Sequence, residues 1–371
     1  MAEKYKVNLV NVTASDAHAV TAIKTASAQS VKAVLTRMEI EYAQGFPVEV
    51  YAMALYDEIC ENPQLILEML PGEVLHFLIE IWEKDQLQVD AQHWDYLQYL
   101  AMFGFAFSMR KDDGSPGSDT ICYIRDMKDQ FYFFLKSRSS RRAMDRYTEW
   151  EMIIRGLLYC YGLAEMKTLY RNSLIVSRVE TASYEEFDHF MKCRASMWGI
   201  GMFLRTTDGK TEYMQHMYVE NPERTLREQK EHDELDYCLP DKDQLIFLAQ
   251  GGGLDRNWKG LSDLFKLLSE DLKMDYYKAS ISIRTMVTAI QNGWSGEALY
   301  NRIQSVTFAD DRQRERGLLA LEQLCDIVPL FSLKGNSRSQ VRKMAQEEEL
   351  KQKKQRFSIV TGEGSEGKHE G

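Results

Sequence analysis

Proline and cysteine are both scarce in this sequence. Seven prolines and 22 glycines in 371 residues are too few for a turn-dense all-β fold. The six cysteines are far apart and no two have a Cys-x-x-Cys spacing, which excludes a disulfide scaffold and a zinc ribbon. Because they fall inside apolar stretches, these cysteines indicate reduced thiols in the core of a cytoplasmic protein.

The sequence also lacks the common catalytic signatures. It contains no Gly-x-Ser-x-Gly, His-Glu-x-x-His, Walker or Rossmann pattern, whose spacings place nucleophiles, metal ligands or phosphate-binding amides. His189 and Cys193 are four residues apart on a predicted helix, a spacing that can chelate zinc, but no neighbour completes a tetrahedral set. We therefore predict no catalytic residue, no metal site and no cofactor, and expect a protein that is not an enzyme.

Positive charge and long apolar runs are limited as well. The net charge is −10, which disfavours non-specific binding to nucleic acid because affinity for phosphates comes from Lys and Arg. No run approaches the roughly 18 apolar residues of a membrane span. The N-terminus MAEKYKVNLVNV has no apolar segment after its lysines, so it does not predict a signal peptide. We expect a cytoplasmic protein with no membrane partner.

Helical periodicity followed by a β-hairpin occurs twice. In the first copy Asp90 is a predicted N-cap, and the alternating segments FGFAFSM and TICYI flank the turn DDGSPGSD. In the second copy Ser183 and Glu186 form a predicted capping box, and Asp208-Gly209 lies between two alternating segments, a strong hairpin signal. Helices followed by a hairpin is the chain order of a winged helix. The sequence therefore predicts a mainly α fold with short β-hairpins in two winged-helix-like units.

Changes in composition divide the chain into six predicted segments. They are a helical or partly disordered N-terminal segment at 1–46, winged-helix-like unit 1 at 47–136, a basic linker at 137–147, winged-helix-like unit 2 at 148–221, a helical C-terminal domain at 222–345 and a charged tail at 346–371. The tail is expected to be disordered because its composition cannot bury a core.

The candidate contacts for an anionic partner are cations of the basic linker and of the two predicted wings. They are Arg110, Lys111, Arg138, Arg141, Arg142, Arg146 and Lys210. The predicted recognition helix of the second unit argues against direct reading of duplex DNA. Glu185 and Glu186 are in its first turn, where they suit the helix dipole but would face phosphates unfavourably.

Two functions are consistent with this organisation, and an enzyme with an unrecognised site is a third, more distant hypothesis. The leading hypothesis is a non-enzymatic interaction or scaffolding protein whose partner is a protein. The alternative is a DNA-binding regulator of transcription or of a mobile element, which would use the basic linker and the wings. The sequence does not define the oligomeric state.

Three segments resemble an uncharacterised family of bacterial proteins. IVPLFSLKGNSRSQVRKM is similar to the segment before the tail in Firmicutes proteins with a SEC-C motif, and RGLLYCYGLAEMKTLY and EHDELDYCLPDKDQL are similar to the middle of those proteins. In that family the tail ends in a cysteine-rich zinc motif. Here no cysteine follows Cys325, so zinc binding by the tail is not implied. The resemblance implies a bacterial protein of similar architecture and no established activity.

Overall fold

The structure is a computed structural model. It describes residues 5–12, 28–37, 42, 45–109, 120–177, 182–195, 198–205, 211–250, 254–255, 257–296, 298–299 and 310–362. The chain forms two compact units, of which unit 1 comprises Met1–Glu151 and Val179–Ile200 and unit 2 comprises Met152–Arg178 and Gly201–Gly371. The described residues are mainly helical and contain two small sheets. None of their helices combines the length and the apolar character needed to cross a bilayer.

The described elements follow one another as β1 (Tyr5–Val12), α1 (Ala28–Arg37), α2 (Val48–Glu61), α3 (Gln64–Met69), α4 (Gly72–Glu83), β2 (Gln86–Val89), α5 (Ala91–Met102), β3 (Ala106–Met109), β4 (Thr120–Ile124), α6 (Arg125–Lys136), α7 (Arg138–Tyr161), β5 (Leu163–Glu165), α8 (Met166–Ser177), α9 (Tyr184–Arg194), β6 (Met202–Arg205), β7 (Glu212–Gln215), α10 (Pro222–Glu231), α11 (Lys242–Gln250), α12 (Leu261–Lys266), α13 (Tyr276–Gln291), α14 (Asp311–Ile327) and α15 (Arg338–Gly362). A π-helical turn, Leu267–Asp271, extends α12. A 3₁₀ turn, Phe331–Leu333, precedes α15.

Side chains at the predicted caps begin two of these helices. The carboxylate of Asp90 accepts hydrogen bonds from the backbone N–H groups of Gln92 and His93 at the start of α5. The hydroxyl of Ser183 accepts from the backbone N–H of Glu186 at the start of α9. Each bond satisfies a donor that has no partner inside the helix. Both predicted N-caps are confirmed, but the reciprocal bond of the capping box predicted for Ser183 and Glu186 is not formed among the described residues, since the Glu186 carboxylate binds Arg146.

The first sheet has the strand order β2-β1-β4-β3. Strands β3 and β4 are antiparallel, which confirms the first predicted hairpin. Strand β1 runs parallel to β4 and antiparallel to β2. The prediction that residues 1–46 are helical or partly disordered is therefore wrong for Tyr5–Val12, although it is right for α1. The strand pairs with residues about eighty or more positions away, and such distant pairing leaves no local signal.

The second sheet has the order β5-β7-β6 and is entirely antiparallel. The pair β6 and β7 confirms the second predicted hairpin. Strand β5 was not expected. It has three residues, of which Leu163 and Ala164 are buried, and so short a segment shows no alternation.

The two compact units cut across the predicted segments. The basic linker at 137–147 is the first part of the continuous helix α7, because Met144, Tyr147 and Trp150 continue one buried face through it. Residues 148–221 are divided as well, since α9 belongs to unit 1 and the hairpin β6-β7 belongs to unit 2.

The charged tail is helical over most of its length. Helix α15 continues to Gly362, so the expectation of disorder is wrong for residues 346–362, and residues 363–371 lie outside the described part. All side chains at 342–354 are exposed. The helix forms there because Glu, Lys and Gln have high helix propensity and because pairs such as Lys343–Glu347 are one turn apart.

Candidate functional site

Four of the seven predicted cations are on helix α7. Arg138, Arg141 and Arg142 are exposed, and their spacing of three and four residues places them on one side of the helix. None of the three takes part in an ion pair with another described residue. We call these three residues the arginine face. The remaining candidates, Arg110, Lys111 and Lys210, lie outside the described residues.

Arg146, the fourth cation on α7, is not available to a partner. Its guanidinium binds the carboxylate of Glu186 and lies over the rings of Tyr147 and Trp150, 5.2 and 5.6 Å from their centroids. The side chain is about 29% exposed. Arg146 therefore holds α7 and α9 together within unit 1.

Helix α9, the predicted recognition helix, also uses its cations internally. Lys192 Nζ lies 2.9 Å from Asp188 Oδ2 one turn earlier. Arg194 has no exposed surface. Arg194 cannot contact the phosphates of a nucleic acid, and Lys192 is already paired with Asp188. Helix α9 therefore offers no unpaired cation among its described residues to offset Glu185 and Glu186.

Arg194 instead binds the carboxyl end of helix α3. Its Nε donates to the backbone oxygen of Glu68 at 2.9 Å, and one terminal nitrogen donates to the backbone oxygens of Leu67 and Leu70 at 2.8 and 2.7 Å. These carbonyls have no partner inside a helix that is ending, and a cation is favourable there. The other terminal nitrogen lies 3.1 Å from the carboxylate of Glu151. Burial lowers the pKa of Arg194, and Glu151 opposes that shift.

The side chain of Glu68 belongs to a second polar group, the Glu68 cluster, formed with His189 and Cys193. Glu68 Oε2 lies 2.5 Å from His189 Nδ1. Cys193 Sγ lies 3.9 Å from Nδ1 and 4.0 Å from Nε2 of the same ring. One donor atom from each residue is within 4.8 Å of the other two. The fold thus supplies the third group that the i, i+4 pair on α9 lacked.

The surroundings of the Glu68 cluster set its electrostatics. The contacts with Cys193 and Glu68 raise the pKa of His189 to about 10. Burial raises the pKa of Cys193, although His189 opposes this shift. The hydroxyl of Tyr147 lies 3.4 Å from Oε1 of Glu68, which leaves Oε2 to face His189. The cluster is therefore a fixed and largely buried set of one oxygen, one nitrogen and one sulfur donor.

The three residue types also occur in cysteine hydrolases, but this geometry does not suit nucleophilic attack. A nucleophilic cysteine must be a thiolate that a substrate can reach. Cys193 has no exposed surface, and its raised pKa favours the thiol. The arrangement therefore brings three possible ligand atoms together around a thiol that a substrate cannot reach.

The spacing of His189 and Cys193 was recognised in the sequence as one that can chelate a metal, but Glu68 was missed. Glu68 is 121 positions from His189 and is at the end of a six-residue helix, where its side chain carries no distinctive pattern. The burial of Arg194 was missed for the same reason, because its four partners are distant in sequence.

The resemblance to the SEC-C family stays a prediction. Comparison of the chain with protein-family models, with curated proteins and with solved structures found no match.

Proposed function

We propose that the protein is a non-enzymatic interaction protein that binds an acidic segment of a partner protein through the arginine face. The observation that carries this proposal is the exposure of all three guanidinium groups on one side of α7 without an acidic partner among the described residues. The planar guanidinium presents a fork of donors that matches a carboxylate with two hydrogen bonds. Three such forks on one rigid helix suit a cluster of Asp or Glu side chains.

An exposed aromatic side chain close in sequence favours a protein over a nucleic acid as the partner. Phe133 is 80% exposed and is on α6, which a single residue, Ser137, separates from α7. Arginine and aromatic residues are enriched where protein interfaces gain most of their binding energy.

Winged-helix-like modules are the second part of the proposal. The chain order α7, β5, α8, α9, β6, β7 is helix, strand, two helices and hairpin, the order expected of a winged helix, with α9 in unit 1 and the hairpin in unit 2. The earlier order α4, β2, α5, β3, β4 is similar with one helix fewer. The modules would serve as scaffolds for protein docking, since the cations of α9 are used internally.

A bacterial cytoplasm is the proposed setting. The six cysteines are free thiols, as expected in a reducing compartment. The similarity of three segments to SEC-C-type bacterial proteins is consistent with this location.

The experiment measures binding of the full chain to two fluorescent probes by anisotropy, an oligoglutamate peptide and a random-sequence DNA duplex. We expect the peptide to bind and the variant Arg138→Ala/Arg141→Ala/Arg142→Ala to lose that binding. We expect Arg138→Lys/Arg141→Lys/Arg142→Lys to bind more weakly than the natural chain, because lysine keeps the charge and loses the fork.

The matched control removes three other exposed cations, with Lys351→Ala/Lys353→Ala/Lys354→Ala on α15. An equal loss of peptide binding in this control would show non-specific charge attraction and would refute the proposal. Binding to the duplex with a steep salt dependence that the arginine variant reduces would establish the DNA-binding regulator in its place.

A further inference from the structure

We propose that Glu68, His189 and Cys193 form a binding site for Zn²⁺. Each residue offers one ligand atom, a carboxylate oxygen, an imidazole nitrogen and a sulfur. All three types are established zinc ligands. Three protein ligands leave a fourth position for a water molecule or another exogenous ligand, as in zinc sites that are open to solvent.

The distances fit a tetrahedral centre after small movements. Zinc bonds of about 2.0 Å to oxygen and nitrogen and about 2.3 Å to sulfur place nitrogen and oxygen roughly 3.3 Å apart and nitrogen and sulfur roughly 3.6 Å apart. In the structure Nδ1 of His189 lies 2.5 Å from Oε2 of Glu68 and 3.9 Å from Sγ of Cys193. Binding would therefore replace one hydrogen bond, move Oε2 and Nδ1 about 0.8 Å further apart and draw the sulfur slightly inward.

The charge and the donor set both favour zinc over other common cations. A thiolate and a carboxylate together carry two negative charges, which a divalent cation neutralises in this buried position. When the sulfur and Nδ1 of His189 coordinate, the thiol proton and the extra proton of the imidazolium would both leave to solvent. Mg²⁺ and Ca²⁺ prefer oxygen ligands alone, so a sulfur and an imidazole select against them.

Neighbouring residues hold one of the ligands, Glu68, in place. Arg194 binds the backbone oxygen of Glu68, and Tyr147 lies against the carboxylate oxygen that does not face His189. Contacts of this kind orient ligands and tune metal affinity. The side chain of His189 is 36% exposed, which gives an ion a way in from solvent.

The first experiment titrates the metal-free full chain with Zn²⁺ and with Co²⁺ as a spectroscopic substitute. We expect one ion per chain, tetrahedral d–d absorption of Co²⁺ and a thiolate-to-cobalt charge-transfer band. X-ray absorption of the zinc form should show one sulfur at about 2.3 Å and three lighter ligands at about 2.0 Å. Failure to bind a stoichiometric ion, or a coordination shell without sulfur, would overturn the proposal.

The second experiment assigns the ligands by substitution. We expect Cys193→Ser to remove the charge-transfer band, and His189→Gln and Glu68→Gln each to weaken Zn²⁺ binding by more than about 100-fold, beyond the loss usual for residues around the ligands. Cys122→Ser and His76→Gln are matched controls in unit 1 and should bind like the natural chain. Glu68→Gln keeps the side-chain size and its contact with His189, so it tests binding in a folded protein. Unchanged binding in the three ligand variants, or an equal loss in the controls, would refute the assignment.

Discussion

The two units satisfy the same backbone requirement in different ways. In unit 1 the last carbonyls of α3 are bound by the charged side chain of Arg194. In unit 2 the carbonyls at the end of α7 are bound by neutral amides, with Gln291 donating to Tyr159 and Gln229 donating to Tyr161. The final carbonyls of a helix need such partners when they are buried.

The difference shows that a buried charged side chain requires a counter-charge beside it, whereas a buried amide does not. Arg194 can be buried because Glu151, which is itself 7% exposed, lies beside it. Gln229 needs no counter-charge, and its amide nitrogen also reaches the carbonyls of Leu163 and Phe331. Unit 1 is therefore sensitive to the loss of one ion, and unit 2 is sensitive to the loss of one amide.

The largest effect is expected for Arg194→Met in unit 1. The change leaves three carbonyls without their donor and Glu151 without its cation, so the free energy of unfolding should fall by about 3 to 5 kcal/mol. Urea denaturation measures the loss, and hydrogen exchange should locate it in unit 1. The double variant Arg194→Met/Glu151→Met should lose less than the two single variants added together. Additive losses would show that the ion pair is not coupled.

The next largest effect is expected for Gln229→Leu in unit 2. Leucine fills a similar volume but cannot donate, so buried carbonyls lose their partner at a cost of about 2 to 3 kcal/mol. Urea denaturation of Gln244→Leu is the control, because Gln244 is exposed on α11. A loss for Gln229→Leu no greater than that of the control would contradict the role given to this amide.

A pH-dependent effect is expected from His216 in unit 2. Burial, with a smaller contribution from Arg155, lowers the pKa of His216 from 6.5 to about 4. The unfolded chain takes up a proton at a higher pH than the folded chain does, so stability is lost as the pH falls from about 6.5 towards 4. Between pH 7 and pH 5 the loss should be about 2 kcal/mol.

His216→Phe tests this prediction. Phenylalanine keeps the ring contacts with Tyr159 and Tyr218 but cannot bind a proton. The free energy of unfolding of the variant should therefore change less between pH 7 and pH 5 than that of the natural chain. Parallel pH profiles for the two proteins would show that another group is responsible.

The smallest effect is expected for Arg205→Ala on the hairpin β6-β7. Arg205 binds Glu212 at 2.7 Å across the strands, but its side chain is 68% exposed. Water and salt screen such a pair, so the free energy of unfolding should fall by less than about 0.5 kcal/mol. Urea denaturation at low and high salt measures this. A loss comparable to that of Arg194→Met would remove the distinction between exposed and buried ion pairs.

Local features of the sequence predicted local structure. The caps at Asp90 and Ser183 and the two hairpins depend on residues within about 20 positions of one another, and the structure confirms them. The basic linker is helical from Arg138 onward and the tail is helical to Gly362, where charged composition was given more weight than helix propensity.

Long-range features could not be predicted in this way. The pairing of β1 with β4, the burial of Arg194 and the position of Glu68 beside His189 each join residues more than a hundred positions apart. Nothing near Glu68 in the sequence distinguishes it from other acidic residues. Two members of the Glu68 cluster, His189 and Cys193, were recognisable in the sequence by their i, i+4 spacing. The position of the third, Glu68, depends on how α3 and α9 pack.

The position of β1 has a consequence for how the protein is synthesised and engineered. The strand is synthesised before β2 and β4 but lies between them in the sheet, so during translation it has no strand to pair with until those two have been made. An unpaired strand edge is prone to associate with other chains. Deleting the first twelve residues should leave β2 separated from the β3-β4 hairpin, so purification tags are better attached at the C-terminus, beyond α15.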